Sequence, residues 1–313
     1  MIDPDTFEIS NHMVTSTINC RYDVTKRLMI NKKSIQKYIH PLKPIPTSIS
    51  PAGGLIHDIK CILFDIYGTL FISASGDISL AEQNSPQMED INLLLARYKI
   101  EKSPPALLDE LHHAIEVRHA ELHAKGTEFP EVKIDRIWQQ VLPAVDQRRI
   151  RQFAAEFELI SNPVYPMPNL SDLLSTCRQH GLLMGIISNA QFYTPCLFNW
   201  FLDSDPQGLG FSPDLIFYSY IFAMAKPSPA LFKMAAEKLK EKTIPPAAIL
   251  YIGNDMLNDI YPAQRTGFKT ALFAGDERSL RLRTADPRCR NLTPDLVITD
   301  LGQLIRMVAP EGI

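Results

Sequence analysis

The chain has 313 residues, with 45% apolar types, 21% charged types and a net charge of -3, a profile that suits a globular protein with a sizeable core. Its 32 basic against 35 acidic side chains leave no excess to condense on a phosphate backbone, and no apolar run reaches the ~20 residues that cross a bilayer, so nucleic acid and membrane are excluded as main partners. The opening residues carry early acids and no secretory apolar stretch, and five scattered cysteines (Cys20, Cys61, Cys177, Cys196, Cys289) form no CxxC pair, which points to reduced thiols in a cytoplasmic enzyme or binding domain.

Residues 1–55 are weakly patterned and end in HPLKPIPTSISPAGG, with four prolines and two glycines. This composition predicts a poorly ordered leader and extended connector, dispensable for the chemistry. The first ordered run is Cys61-Ile62-Leu63-Phe64, which stops at Asp65-Ile66-Tyr67-Gly68-Thr69. A buried parallel strand ending on polar residues and glycine reads this way. Residues from about 86 to 160 read as helical and lack strand alternation, so an inserted helical cap is expected over 81–160. Further apolar runs lead into polar tips: 182–187 into Ser188-Asn189, 248–252 into Gly253-Asn254-Asp255, 269–274 into Gly275-Asp276, and 296–298 into Thr299-Asp300. Helical stretches such as 169–180 and 228–241 lie between them. Strand, polar tip and helix in repetition predict a doubly wound α/β core from 56–80 and 161–313. In such sheets ligands sit at the carboxyl ends of the strands.

The tips carry complementary chemistry. Asp65 offers a carboxylate, Ser188 a hydroxyl and Asn189 an amide. Lys226 offers a cation in a loop beside Pro227 and Pro229, and Asp255 with Asp259 offers an acidic pair. A strand-terminating turn explains any one of them alone. Their occurrence at successive strand ends predicts one shared site.

From Lys60 to about Leu304 the sequence resembles the haloacid dehalogenase superfamily, through DIYGTL at 65–70, SN at 188–189, Lys226 in AKPSPALF and GNDMLND at 253–259. The resemblance implies a Rossmann-like core with an α-helical cap. It also implies that Asp65 is a covalent nucleophile, and that Thr69 and Ser188 donate hydrogen bonds to a substrate phosphoryl group. Lys226 would neutralise nucleophile and phosphate. Mg²⁺ would be held by Asp65, the Tyr67 backbone carbonyl, Asp255 and Asp259, with Asn254 as a further candidate.

One position departs from the phosphatase pattern. Those relatives carry an acid two residues after the nucleophile, whereas this chain carries Tyr67, as the dehalogenases do; a halide leaves without needing a proton. Three clustered carboxylates with Lys226 as their one evident cation argue the other way, for Mg²⁺. The cap lacks the Arg- and aromatic-rich opening helix of the dehalogenases. It has instead a stripe of His112, Glu116, His119 and His123 at helical spacing, read as a solvated face, a substrate-contacting one or a second metal site, with Arg118 beside it. The expectation is a Mg²⁺-dependent phosphatase of a small metabolite. The alternatives are a metal-free 2-haloacid dehalogenase and a catalytically weak binding protein.

Overall fold

A computed structural model of the protein describes residues 30–54, 58–74 and 85–308. Its strands are β1 (Cys61–Phe64), β2 (Phe71–Ser73), β3 (Val164–Pro166), β4 (Leu183–Ser188), β5 (Phe211–Tyr218), β6 (Ile249–Gly253), β7 (Lys269–Phe273) and β8 (Leu296–Ile298). The helices run α1 (Lys32–Ile35), α2 (Ser85–Tyr98), α3 (Pro104–Ala124), α4 (Ile134–Val141), α5 (Gln147–Ser161) and α6 (Leu170–Gln179). They continue with α7 (Thr194–Leu202), α8 (Ser219–Phe222), α9 (Ala230–Glu241), α10 (Tyr261–Arg265) and α11 (Leu301–Val308). No helix of the described residues is long and apolar enough to cross a membrane.

Six strands form a parallel sheet in the order β5-β4-β1-β6-β7-β8. β1 is fully buried and its side chains alternate: Ile62 and Phe64 join the core on one face, Cys61 and Leu63 that on the other. On the second face α9 contributes Leu231, Ala235 and Leu239, spaced by four residues, together with Phe232. The order of connection reverses at β1, which lies between β4 and β6, and this opens the crevice at the carboxyl ends. β5 is not among the strands expected from the sequence. Pro213 and Asp214 break its apolar run, and an edge strand tolerates both.

The chain leaves the core through β2 and returns through β3, and the two pair antiparallel. Between them α2–α5 pack around Trp138, whose ring lies 5.0 Å from that of Phe153 and 4.8 Å from that of Phe157. The α3–α4 loop docks back on the core. Ala225 N donates to Phe129 O at 2.8 Å, Ile134 N to Gln191 Oε1 at 3.0 Å, and Ser219 Oγ to Glu131 Oε2 at 2.7 Å.

The connector expected over 1–55 is different where it is described. Ile35 is fully buried, and Trp200 Nε1 donates to Ile30 O at 3.0 Å. Thr47 Oγ1 donates to Ala274 O at 2.7 Å, Ile45 N to Asp276 Oδ1 at 3.1 Å, and Ala52 bridges antiparallel to Val297. Its prolines do keep residues 41–53 free of helix, but the extended chain spends its backbone groups on the core as a strap. Residues 1–29, and Cys20 with them, lie outside the described residues. Cys61, Cys177, Cys196 and Cys289 are buried free thiols.

Candidate active site

Asp65 follows β1 directly, and its N–H is fixed by Ile252 O of β6 at 2.9 Å. Lys226 arrives from the segment after β5. Its Nζ donates to Asp65 Oδ1 at 2.8 Å and to Asp259 Oδ1 at 2.5 Å, and lies 3.2 Å from Tyr251 OH. All three charged residues are buried, with Asp259 only 1% exposed. Burial works against the Lys226 charge, but Asp259 and Asp65 beside it outweigh that, and its pKa is raised. Burial pushes the Asp259 carboxyl up as well. The short contact between them is that of an ionised pair in which lysine keeps its proton.

Local sequence explains how these groups meet. A Cβ at Gly253 would fall inside the Asp259 carboxylate, so glycine lets that side chain turn back under the strand end. Asp255 caps the following π-helical turn (Met256–Ile260), accepting from Leu257 N at 2.8 Å and Asn258 N at 3.1 Å. Asp259 Oδ2 accepts the N–H of Asp255 at 2.9 Å. Asn189 grips the lysine segment from both sides: its Oδ1 accepts Lys226 N at 2.7 Å and its Nδ2 donates to Lys226 O at 3.2 Å.

Asp259 Oδ1 accepts from Lys226 and Tyr251 and Oδ2 accepts the Asp255 N–H, which positions the lysine, and Asp259 also lines the cavity. Thr69 and Ser188 are fully buried. The Thr69 hydroxyl donates to Asn254 Oδ1 at 3.1 Å, and Asn254 Nδ2 donates onward to Ser279 O, while Asn254 still lines the cavity. The Ser188 hydroxyl makes one long bond, 3.4 Å to Asn189 O. Finally, Lys226 is not the one cation among the acids. Arg283 Nη2 donates to Asp255 Oδ2 at 2.7 Å and its Nε to the same oxygen at 3.1 Å.

The remaining oxygens still suit a hard cation. Asp65 Oδ2 is hydrogen-bonded to none of the described residues, and Asp255, whose oxygens accept from Leu257, Asn258 and Arg283, lines the same cavity. No three His, Cys, Asp or Glu side chains form a ready cage among the described residues, but magnesium is commonly held by one or two carboxylates with substrate phosphate completing its shell. The carboxylates of Asp65, Asp255 and Asp259 around this cavity are the donor type that suits Mg²⁺, with Arg283 as the rival for Asp255.

The cavity measures about 690 Å³ and lies between core and cap. Asp65, Tyr67, Asn189, Lys226, Asn254, Asp255 and Asp259 line it from the core side. His112, Glu116 and His119 line it from α3, together with Ile115. Burial, and the neighbouring His123, lower the His119 pKa and favour its neutral ring. Arg118 is turned away and pairs with Glu121 at 2.6 Å, while His123 is exposed and outside the lining. Tyr67 directs its hydroxyl to Thr194 Oγ1, 2.9 Å away, and burial holds the phenol neutral. Sequence reasoning missed Arg281, Arg283, Glu131, Tyr193 and Glu158, which also line the cavity. The one signal for the arginines is the alternation in Arg278-Ser-Leu-Arg281-Leu-Arg283.

Comparison with known proteins agrees with this architecture. A family model for haloacid dehalogenase-like hydrolases matches residues 59–267. The chain belongs to that family of hydrolases. Among solved structures it is similar to the 2-haloacid dehalogenase from Pseudomonas syringae pv. Tomato DC3000, with 20% identity over 81% of this chain and 100% of that one and a TM-score of 0.51. It is also similar to the L-2-haloacid dehalogenase from Xanthobacter autotrophicus (19% identity, 81% and 100% covered, TM-score 0.48). A third is a predicted phosphoglycolate phosphatase from Haemophilus somnus 129PT (17% identity, 80% and 99% covered, TM-score 0.45). At these identities the likeness is one of fold. No curated protein matches the chain.

Proposed function

We propose that the protein is a phosphohydrolase acting on a small phosphorylated metabolite through an aspartyl-phosphate at Asp65. The observation that carries this reading is the Asp65–Lys226–Asp259 array with Arg281 and Arg283 in the same cavity. A phosphate dianion approaching a carboxylate nucleophile needs several cations around it, and this cavity lines its nucleophile with three. Asp65 attacks phosphorus in line, with its Oδ1 held by the lysine and Oδ2 uncommitted. Lys226 neutralises charge on the transferring group, and Asp259 keeps the ammonium aimed at Asp65. Asn189 fixes the lysine segment. Water then opens the aspartyl-phosphate. Bound Mg²⁺, held by Asp65, the Tyr67 carbonyl and Asp255, would supply further neutralisation of the phosphoryl oxygens. His112, Glu116 and His119 contact the organic part of the substrate from the cap.

Tyr67 keeps a second reading open, a 2-haloacid dehalogenase in which Asp65 attacks carbon. One assay separates the two: phosphate release from p-nitrophenyl phosphate with Mg²⁺ or EDTA, beside chloride release from 2-chloropropionate. The proposal expects phosphate release that EDTA suppresses. It also expects Arg283→Met, which removes the competing cation from Asp255, to lower the Mg²⁺ concentration needed. Chloride release without phosphate release overturns it.

A further inference from the structure

A carboxylic acid stands in the cavity outside every familiar motif. Glu158, near the end of α5, is 9% exposed and lines the cavity that holds Asp65 and Tyr67. No lysine, arginine or histidine forms an ion pair with it among the described residues. Its partners are neutral: Tyr193 OH donates to Oε2 at 2.8 Å and Asn162 Nδ2 to Oε1 at 3.2 Å. Asn162 in turn accepts from Ser73 Oγ at 2.9 Å, which ties the carboxyl to the β2–β3 stem just beyond the nucleophile loop. Each oxygen accepts one bond and keeps a second site for a proton.

We propose that Glu158 is the proton donor to the leaving group, supplying from the foot of the cap the acid that position 67 lacks. The assignment rests on the phosphohydrolase reading. As Asp65 forms its bond to phosphorus, the electron pair of the breaking P–O bond passes to the leaving oxygen, which takes the proton of Glu158. Glu158 is left as a carboxylate. Water then attacks phosphorus and gives one proton back to Glu158, Asp65 is released as a carboxylate, and one water is consumed per phosphate formed.

Burial favours the protonated carboxyl, outweighing the hydrogen bonds from Tyr193 and Asn162. The titratable groups around it do not offer a compensating cation. Tyr193 and Tyr67 face it, Glu131 and Asp65 act on those tyrosines, and Cys196 lies beside Tyr67. Tyr67 itself is a far weaker acid, since burial raises its pKa well above the ordinary phenol value.

The test compares p-nitrophenyl phosphate, whose phenolate leaves unaided, with a simple alkyl phosphate, whose alkoxide does not. Glu158→Gln should cut kcat/KM for the alkyl ester by ~10²–10⁴ and leave the aryl ester within a few-fold of wild type. The wild-type alkyl profile should fall on the alkaline side, and the aryl profile should not. Tyr193→Phe removes a bond that favours the ionised carboxyl, so it should move that alkaline limb to higher pH. This second variant keeps the proposal exposed if Glu158→Gln fails to fold. Equal losses on both esters, or none on either, overturn the assignment while leaving the phosphohydrolase reading intact. A wild type inactive on both esters overturns both.

Discussion

Lys226→Met would leave Asp65 and Asp259 buried without the cation between them. Removing one partner of a buried ion pair costs about 3–5 kcal/mol, so a large fall in thermal stability should accompany loss of turnover. Calorimetry checks it, and an unchanged melting temperature would mean that the lysine is not what holds the two acids together. Glu158 gives a pH signature of opposite character. Its carboxyl is raised by burial, so its contribution to stability is full below the unfolded value of about 4.3 and is lost as pH rises through the folded one. Denaturant unfolding of wild type and Glu158→Gln across pH should show the variant gaining on wild type as pH increases. Asp65, Lys226 and Asn189 are legible in the sequence because each stands where an apolar run stops or a proline pins the chain. Arg283 and Glu158 are not. An arginine in a loop and an acid inside Ala-Ala-Glu-Phe-Glu-Leu read as surface, and only tertiary packing brings them to Asp65. The bonds of Asp259 to Lys226 and Tyr251, and of Thr69 to Asn254, are hidden for a related reason, since residue type does not tell which neighbour a side chain will choose.

At the scale of elements, α3 carries two faces with different work. Leu107, Leu108, Leu111 and Ala114 bury its inner side, while His112, Glu116 and His119 reach the cavity. The stripe is visible in the sequence as a 3–4 spacing, but its direction is set by α3 packing on α4, and no spacing alone reveals that. Alanine at Glu116 and at His119 should change kcat/KM unequally across a panel of phosphorylated metabolites and alter p-nitrophenyl phosphate turnover little. Identical profiles for variants and wild type would return this face to a merely solvated one. The sheet was readable almost strand by strand from apolar runs with polar tips. The exception, β5, lies at the edge, where a proline costs no ladder bond and so masks the strand.

For the whole molecule, the strap of residues 30–53 joins parts that the sequence leaves unconnected. It touches Trp200, Ala274, Asp276 and Val297. A chain beginning at Gly54 loses the buried Ile35, worth about 1.5–3 kcal/mol by itself, and several hydrogen bonds besides. Its melting temperature should drop by roughly 5–10 °C, while Asp65, Lys226 and the cavity keep their chemistry in the fraction that remains folded. An unchanged melting point would mean that the strap rests on the surface without stabilising it. The central claim, that Asp65 becomes phosphorylated, is tested most directly by acid-quenched single turnover of a phosphate ester labelled in its phosphoryl group, followed by peptide mapping. Label should appear transiently on the peptide containing Asp65 and be absent from Asp65→Asn. Release of labelled phosphate with no protein-bound label, and undiminished by that substitution, would contradict the account.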